Sequence, residues 1–356
     1  MKELRDILAA YDRLSAAGAS GVLASVVAVE GSTYRRPGAR TLILPDETAI
    51  GLVSGGCLEG DLLERARAVR ASGRATLVHY DFRGEDDLIW GLGLGCAGAV
   101  DVLLERVDAA RPGPLAWLGA WLRERRRGAI ATLLDGPRAG ERRALAEGGA
   151  PEGPLVAAAV DTALADGRAR RSASAAGDVA IERFEPPLRI ALFGAGPDAV
   201  PVARLAAELG WDVVVLDQRP AFARAERFPD ARVLHAEVEH AVARAGLDAS
   251  DFALLMTHHY LHDRVLLAEL LRSPVRYIAL LGPKQRSEDL LAELAAAGRR
   301  VGDEERARLF GPAGLDLGAD SPESIALAIV AEIQAVAAGR SGGALRDRKG
   351  PIHDPP

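Results

Sequence analysis

A glycine-rich turn between an apolar strand and a helix constrains the fold of this chain more than any other feature. Residues 188–193 form an apolar run, and Gly194, Gly196 and Ala199 follow at the spacing G-x-G-x-x-A. A second apolar run follows the helix and ends in Asp217. In dinucleotide-binding folds the first glycine makes a tight turn, the second admits the pyrophosphate, and the small third residue lets the helix pack on the strand. The sequence therefore predicts a Rossmann-type parallel sheet, with the acidic residue suited to two ribose hydroxyls of a nucleotide.

Polar side chains follow another predicted strand of this sheet. Apolar residues 252–256 lead directly into Thr257 and His258, and His262 comes four positions later. Ligand sites in open α/β sheets gather at the carboxyl ends of strands. A helix that begins at Thr257 would place His258 and His262 one turn apart on one face, a spacing that can hold a metal or share a proton with Asp263. A capped helix start with solvated histidines is the alternative.

The two cysteines of the chain both lie in glycine-rich turns. The candidate ligand contacts in these turns are Ser54, Gly55, Gly56, Cys57, Gly95 and Cys96. Glycines remove side-chain bulk and permit positive φ, so backbone amides and a thiol can face one small molecule together. Thiolates are also soft ligands suited to a metal centre or to sulfur transfer. Either cysteine can instead be a small buried hydrophobe.

Composition narrows the class of protein. The chain has 356 residues, of which 49% are apolar and 26% charged, which suits two or three ordinary domains. Its net charge of −6 argues against nucleic acid as the main partner. No apolar run is long enough to span a membrane, and the amino terminus has no secretory apolar core. We therefore expect a cytoplasmic protein whose two cysteines stay reduced.

The order of predicted elements divides the chain into four parts. Residues 1–134 alternate helices and strands and contain both cysteines. Residues 135–187 are rich in alanine, glycine, arginine and proline and are predicted to be peripheral elements and a linker. Residues 188–338 form the Rossmann-like domain, and residues 339–356 form a mobile tail. The predicted fold class is α/β, with a mixed N-terminal domain followed by a parallel-sheet domain.

Several motifs together make the chain similar to the XdhC/CoxI family of accessory proteins for molybdenum hydroxylases. They are G-S-T-Y-R-R-P-G at 31–38, G-L-V-S-G-G-C-L-E at 51–59, G-L-G-C at 93–96, the Rossmann segment, Thr257-His258, and G-L-D-L-G at 314–318. The resemblance covers nearly the whole chain. The S-G-G-C-L-E and G-L-D-L-G motifs are far more specific than the glycine fingerprint.

The resemblance implies a maturation chaperone rather than an enzyme. Such a protein binds molybdenum cofactor (molybdopterin) and holds it while a cysteine desulfurase helps to supply the terminal sulfido ligand. It then passes the cofactor to the apo-enzyme of a molybdenum hydroxylase of the xanthine or carbon monoxide dehydrogenase type. Cys57 is the leading candidate molybdenum contact and Cys96 the second. A homodimer is expected, since closed two-fold assemblies are the commonest.

Two other functions stay open. An NAD(P)-dependent oxidoreductase would bind its nucleotide at Gly194, Gly196, Ala199 and Asp217, and the histidines near His258 would be its only candidate acid–base group. The Rossmann domain can also hold another nucleotide or act only as a docking surface. A purely structural interaction protein is the third possibility, in which Cys57 has no chemical role.

Overall fold

A computed structural model shows how the chain folds. It describes residues 1–31, 33–83, 98–155, 170–174 and 177–349. Within these residues the chain forms two compact units, divided between Pro186 and Pro187. We call the first the cysteine unit, because it contains Cys57, and the second the Rossmann unit.

The cysteine unit combines helices with short and long strands. Its described elements are α1 (Lys2–Ala16), β1 (Gly21–Gly31), β2 (Arg40–Ile43), β3 (Ala49–Gly51), α2 (Glu59–Ser72), β4 (Thr76–Asp81), β5 (Gly98–Val107), α3 (Leu115–Glu124), β6 (Gly128–Leu133), β7 (Arg142–Ala146), β8 (Arg170–Ser174) and β9 (Gly177–Phe184). The strands form two antiparallel sheets, one in the order β3-β2-β1-β5-β4 and one in the order β7-β6-β9-β8. The predicted mixed α/β character of this half is confirmed.

The central strand β1 is buried on both faces. Successive side chains of a strand point to opposite faces, and Val22 and Ala24 pack in a cluster with Leu62 of α2, whereas Leu23 packs with Ile7 of α1. A strand covered on both faces must be apolar at nearly every position. This is why residues 21–27 are all buried in an almost continuous apolar run.

Part of segment 135–187 belongs to the second sheet of the cysteine unit. The sequence predicts peripheral elements and a linker in this segment. In the structure, β7, β8 and β9 lie within it and belong to the sheet. The local pattern is weak because buried Val179 and Ile181 in β9 are followed by polar Glu182 and Arg183 within a single short strand. The division of the chain into four functional parts stays a prediction.

The Rossmann unit contains a six-stranded parallel sheet, as predicted. Its described elements are β10 (Arg189–Phe193), α4 (Ala199–Glu208), β11 (Asp212–Asp217), β12 (Arg232–His235), α5 (Val238–Ala245), β13 (Phe252–Leu255), α6 (Tyr260–Arg272), β14 (Tyr277–Leu280), α7 (Lys284–Ala296), α8 (Asp303–Ala307), β15 (Leu309–Phe310) and α9 (Pro322–Ala337). The strand order is β12-β11-β10-β13-β14-β15, the doubly wound order of dinucleotide-binding folds. Among the described helices of the whole chain, none is both long and apolar enough to cross a membrane.

The strand order brings three loops to one edge of this sheet. The order in which successive strands join the sheet reverses at β10. The next strand, β11, lies on one side of β10, and β13 lies on the other side. The residues that directly follow these strands, Gly194, Gln218 and Met256, therefore share one edge. Open α/β sheets bind ligands at this kind of switch point.

Candidate functional sites

A cavity of about 460 Å³ lies at this edge of the Rossmann unit. Its apolar lining comes from strand ends and helix faces: Phe193, Leu216, Ala236, Val238, Ala241 and Leu266. Its polar lining comes from the end of β11, the loops after β11 and β13, and the first turn of α6: Asp217, Gln218, Arg219, Thr257, His258, His259 and His262. The volume lies in the usual range for small-molecule pockets.

The glycines of the fingerprint make close contacts within the protein, with backbone at Gly194 and with a side chain at Gly196. Gly194 has φ 118°, and a Cβ atom there would lie 2.4 Å from the carbonyl oxygen of Met256. A Cβ atom on Gly196 would lie 2.5 Å from Oδ1 of Asp198. Ala199 is fully buried at the start of α4. The space that the second glycine leaves open is thus filled by a carboxylate of the chain itself.

His258 lies outside the helix that follows β13. Helix α6 begins at Tyr260, and His258 has φ 57°, a left-handed conformation that is uncommon for residues other than glycine. The prediction that His258 and His262 share one helical face is therefore wrong. His258 Nε2 instead lies 2.6 Å from Oδ2 of Asp198.

His262 pairs with the other histidine of the loop. Its ring stacks on that of His259 with centroids 3.8 Å apart, and the backbone amide of His262 donates to the His259 side chain, which caps α6. Burial, and then the neighbouring His259, lower the pKa of the His262 imidazole below its ordinary value. The ring is therefore uncharged at neutral pH. The Gln218 amide nitrogen lies 3.2 Å from its Nε2 atom.

Asp263, which the spacing offers as a possible proton partner of these histidines, is engaged by other side chains. Its carboxylate is buried, accepts a hydrogen bond from Thr257 Oγ1 at 2.6 Å, and pairs with Arg286 Nη2 at 2.7 Å. It fixes the start of α6 to the start of α7, so its role is structural.

Asp217 has both carboxylate oxygens engaged within the protein. Oδ1 accepts from the backbone amide and Nε of Arg219 at 2.8 and 2.9 Å. Oδ2 accepts from the backbone amide of Ala195 and from Arg219 Nη2, both at 2.7 Å. Burial alone would raise the pKa of Asp217, but the hydrogen bonds from Arg219 and from the Ala195 amide outweigh it, and the pKa is lowered. A carboxylate offers about four lone-pair positions, so little acceptor capacity is left for ribose hydroxyls.

The cysteine unit carries a second, smaller cavity of about 240 Å³ beside Cys57. It lies where the turn between β3 and α2 faces the loop after β1. The lining residues are Thr33, Tyr34, Arg35, Val53, Ser54, Gly55, Cys57, Leu58, Phe82 and Val100. Cys57 is a free, half-buried thiol at this mostly apolar cavity.

Ser54 holds the turn of Cys57 in shape. Its hydroxyl donates to Glu59 at 2.7 Å and accepts from the backbone amides of Gly56 and Leu58 at 3.2 and 3.3 Å. The amide of Gly56 is thus used inside the turn rather than offered to a ligand. Within the described part of the chain, the amides of Gly55 and Cys57 have no acceptor.

Aromatic rings form two walls of this cavity. The Tyr34 ring lies over Gly55, with three ring carbons 3.9 Å from the position of a Cβ atom there, and the side chain is 63% exposed. Phe82 is nearly parallel to Tyr80, with an interplanar angle of 3°. Tyr34 and Phe82 line the Cys57 cavity but are not among the site residues that the sequence predicts. The only sequence signal was the position of Tyr34 inside the G-S-T-Y-R-R-P-G loop.

The remaining predicted metal and cofactor contacts cannot be placed. Gly95 and Cys96 lie outside the described residues. In the ranges that the structure describes, no group of three or more histidine, cysteine or acidic side chains is arranged to hold a metal ion.

The fold and the two cavities together define a class of two-domain α/β proteins. One unit of such a chain carries a cysteine-bearing cavity, and the other contains a Rossmann sheet. Residues 14–81 match the model of the XdhC and CoxI family, and residues 190–333 match the XdhC Rossmann domain. The chain belongs to the XdhC and CoxI family. This confirms the resemblance that the sequence motifs indicated.

Individual relatives agree with this assignment. The chain is 36% identical to a probable xanthine dehydrogenase subunit of Bacillus subtilis, over 88% of this chain and 92% of that protein. It is 24% identical to the molybdenum cofactor insertion chaperone PaoD of Escherichia coli, over 90% of this chain and 84% of PaoD. A crystal structure of a xanthine dehydrogenase from Bacillus halodurans superposes with a TM-score of 0.79 at 32% identity, covering 96% of this chain and 97% of that one.

Proposed function

We propose that this protein is an accessory chaperone that binds molybdenum cofactor at the Cys57 cavity and delivers it to a molybdenum hydroxylase of the xanthine or carbon monoxide dehydrogenase type. The observation that carries the proposal is a free thiol beside an aromatic-walled cavity, on the motif that identifies the family. A relative that aligns over most of this chain is named as a molybdenum cofactor insertion chaperone.

The lining of the cavity suits the chemistry of this cargo. Flat heteroaromatic rings stack on aromatic side chains, and Tyr34 and Phe82 supply two such walls. A thiolate is a soft ligand appropriate to molybdenum, and Cys57 places its sulfur at the same cavity. The unengaged amides of Gly55 and Cys57 are donors for a phosphate or another anionic group of the cargo.

Several finer features of the function are part of the proposal. We infer that the cargo receives its terminal sulfido ligand while it is bound, with a cysteine desulfurase as the partner. Cys96 is the second candidate contact to the molybdenum. The protein acts as a cytoplasmic homodimer, and it is a carrier rather than an enzyme. The family resemblance suggests the sulfuration, the desulfurase partner and the carrier role, whereas the homodimer is inferred from the prevalence of closed two-fold assemblies and the compartment from two cysteines expected to stay reduced.

An NAD(P)-dependent oxidoreductase is the second candidate function, favoured by the parallel sheet and the cavity at its edge. Two contacts count against it. The carboxylate of Asp217 is engaged by Arg219 and Ala195. Oδ1 of Asp198 lies 2.5 Å from the Cβ position of Gly196, the glycine at which a pyrophosphate approaches the backbone in dinucleotide-binding folds. We therefore rank this function below the chaperone.

Equilibrium binding of purified molybdenum cofactor tests the proposal. The cofactor is titrated into the full-length wild type, Cys57→Ser and Cys96→Ser under anaerobic, reducing conditions, with NAD as a parallel ligand. We expect tight binding by the wild type and a loss of about tenfold or more in Cys57→Ser, because a hydroxyl does not replace a soft sulfur ligand. Cys96→Ser, at the second candidate contact, ranks the two thiols. Binding of NAD without binding of the molybdenum cofactor would favour the oxidoreductase.

A further inference from the structure

The phosphate end of the Rossmann turn is filled by a carboxylate. The side chain of Asp198, directly before α4, is 18% exposed. Its Oδ1 atom is buried, has no hydrogen-bond partner in the described structure, and lies 2.5 Å from where Gly196 would carry a Cβ atom. In a dinucleotide fold the pyrophosphate approaches the backbone at this second glycine. The carboxylate of Asp198 thus lies beside the glycine at which the negative pyrophosphate of a dinucleotide would approach.

His258 closes the same position from the neighbouring loop. Its Nε2 atom lies 2.6 Å from Oδ2 of Asp198, and its ring carbon Cδ2 lies 3.8 Å from the Cβ position of Gly196. Left-handed backbone at a residue other than glycine costs energy and persists only where the surroundings enforce it. His258 has this conformation, with φ 57°. The contact therefore joins the loop after β10 to the loop after β13.

Arg227 braces the turn from the other side. Its Nη1 atom donates to the carbonyl oxygen of Ala195 at 2.6 Å, and Nη2 donates to that of Gly196 at 3.3 Å. The same guanidinium lies over the rings of Phe222 and Phe228, 5.2 and 5.3 Å from their centroids. Because these contacts fix the backbone on both sides of Gly196, the turn does not need a ligand to hold its shape.

We propose that Asp198 and His258 determine the ligand specificity of the Rossmann cavity by keeping diphosphates away from the glycine turn. The carboxylate occupies the volume that a pyrophosphate needs, and like charges brought together at a binding surface are strongly unfavourable. The cavity is then reserved for an uncharged heteroaromatic ring the size of a nucleobase. This inference concerns the Rossmann unit alone and does not depend on the proposed cargo of the Cys57 cavity.

The rest of the cavity agrees with an uncharged ring. Six apolar side chains line it, and the lowered pKa of His262 leaves that imidazole neutral. Asp217 is engaged by Arg219 and has little capacity left for a ribose. The Gln218 amide supplies an uncharged polar group to the lining, whereas the Thr257 hydroxyl is engaged by Asp263 and by the backbone of His259. Stacking and edge hydrogen bonds are the contacts that a nucleobase needs.

Calorimetric titration of the full-length protein with adenosine, ADP and NAD tests the inference. We expect the wild type to bind adenosine at least about tenfold more tightly than ADP or NAD, because the diphosphate must displace Asp198. In Asp198→Ala, which removes both the charge and the bulk, the affinity for ADP should rise by about tenfold or more while that for adenosine stays the same. Asp198→Asn keeps the shape without the charge, so its gain for ADP should be smaller.

Each other outcome overturns the inference. Tighter binding of ADP or NAD than of adenosine by the wild type would show that the turn accepts diphosphates. No gain for ADP in either variant would show that Asp198 does not exclude them. If neither adenosine nor adenine, titrated in the same way, binds, the cavity does not take a ring of nucleobase size. If Asp198→Ala does not fold, as judged by circular dichroism, the affinity of Asp198→Asn for ADP alone decides whether Asp198 excludes diphosphates.

Discussion

Ser54 and Glu59 are joined by a hydrogen bond of 2.7 Å across the turn that carries Cys57. The Ser54 hydroxyl also accepts the backbone amides of Gly56 and Leu58. One buried side chain therefore satisfies three polar groups of a turn whose glycines would otherwise leave it loose. The position of the thiol depends on this hydroxyl although Ser54 itself has no chemistry to perform.

Replacing Ser54 with alanine should destabilise the protein and weaken cargo binding. The Gly56 amide and the Glu59 carboxylate lose their hydrogen bonds to the buried Ser54 hydroxyl, whereas the Leu58 amide keeps a second acceptor, Glu59 Oε2 at 3.1 Å. Such a loss costs about 1–3 kcal/mol. The thermal midpoint and the affinity for molybdenum cofactor measure the two effects. Ser72→Ala is the control, because Ser72 is exposed and its hydroxyl donates to the helix carbonyl of Ala68. Equal behaviour of the two variants would contradict the role given to Ser54.

Replacing Tyr34 with alanine should uncover Cys57 and remove a stacking surface. Stacking of a ring on an aromatic side chain is worth about 1–3 kcal/mol, so we expect the affinity for the cargo to fall by roughly 5- to 150-fold. Even without cargo, the rate of iodoacetamide alkylation of Cys57, followed by mass spectrometry, should rise. Tyr34→Phe keeps the ring and should match the wild type in both measurements. An unchanged alkylation rate in Tyr34→Ala would argue that Tyr34 does not cover the cavity.

Asp217 should make stability depend on pH in the acid range. Its pKa is lower in the folded than in the unfolded protein, so its contribution is present above the unfolded value of about 3.9 and is lost as pH falls through the folded value. Asp217→Asn should therefore have a lower thermal midpoint than the wild type at pH 7, and the difference should shrink as the pH falls from 7 to 3.

The control for this pH series is Asp12→Asn, at an exposed position of α1. Its thermal midpoint should stay close to that of the wild type throughout. A difference between wild type and Asp217→Asn that widens on acidification would have the wrong sign and would exclude the linkage.

Two glycines with positive φ should respond differently to alanine. Gly56 has φ 112° and nothing within 4 Å of its Cβ position, so Gly56→Ala incurs backbone strain alone, about 1–3 kcal/mol. Gly194→Ala adds a clash, since the new Cβ atom would lie 2.4 Å from Met256 O and 2.9 Å from Thr257 N. We expect the larger fall in thermal midpoint for Gly194→Ala. The opposite order would mean that the turn after β10 can shift to make room.

The sequence predicts the Rossmann sheet well because its signals are local. Buried parallel strands must be apolar at consecutive positions, and β10 and β13 show this directly. The Cys57 turn is also visible, because glycines beside a cysteine stand out without any tertiary information. A capped helix start is one of the alternatives that the sequence leaves open after β13, and the cap at His259 confirms it. The residue that forms the cap is less visible, because a histidine is an uncommon N-cap.

The contacts that decide specificity come from parts of the chain that are distant in sequence. Phe82 reaches the Cys57 cavity at the end of β4, and Tyr34 reaches it from the loop after β1. The sequence predicts that Asp217 contacts a ribose, but in the structure Arg219 engages both of its carboxylate oxygens. Neither the spacing of residues in the sequence nor their type indicates which partner a charged side chain contacts in the folded protein.

The contact between Gly196 and Asp198 makes the two positions interdependent. A side chain at 196 would first meet Oδ1 of Asp198, 2.5 Å from the Cβ position, and would have to turn this carboxylate away from His258. A small residue at 198 removes this obstacle, so the effect of a change at 196 depends on the residue at 198. The two glycines of the turn are therefore not equivalent as signs of a nucleotide: the backbone of Met256 and Thr257 excludes a side chain at Gly194, whereas the first obstacle at Gly196 is a neighbouring side chain.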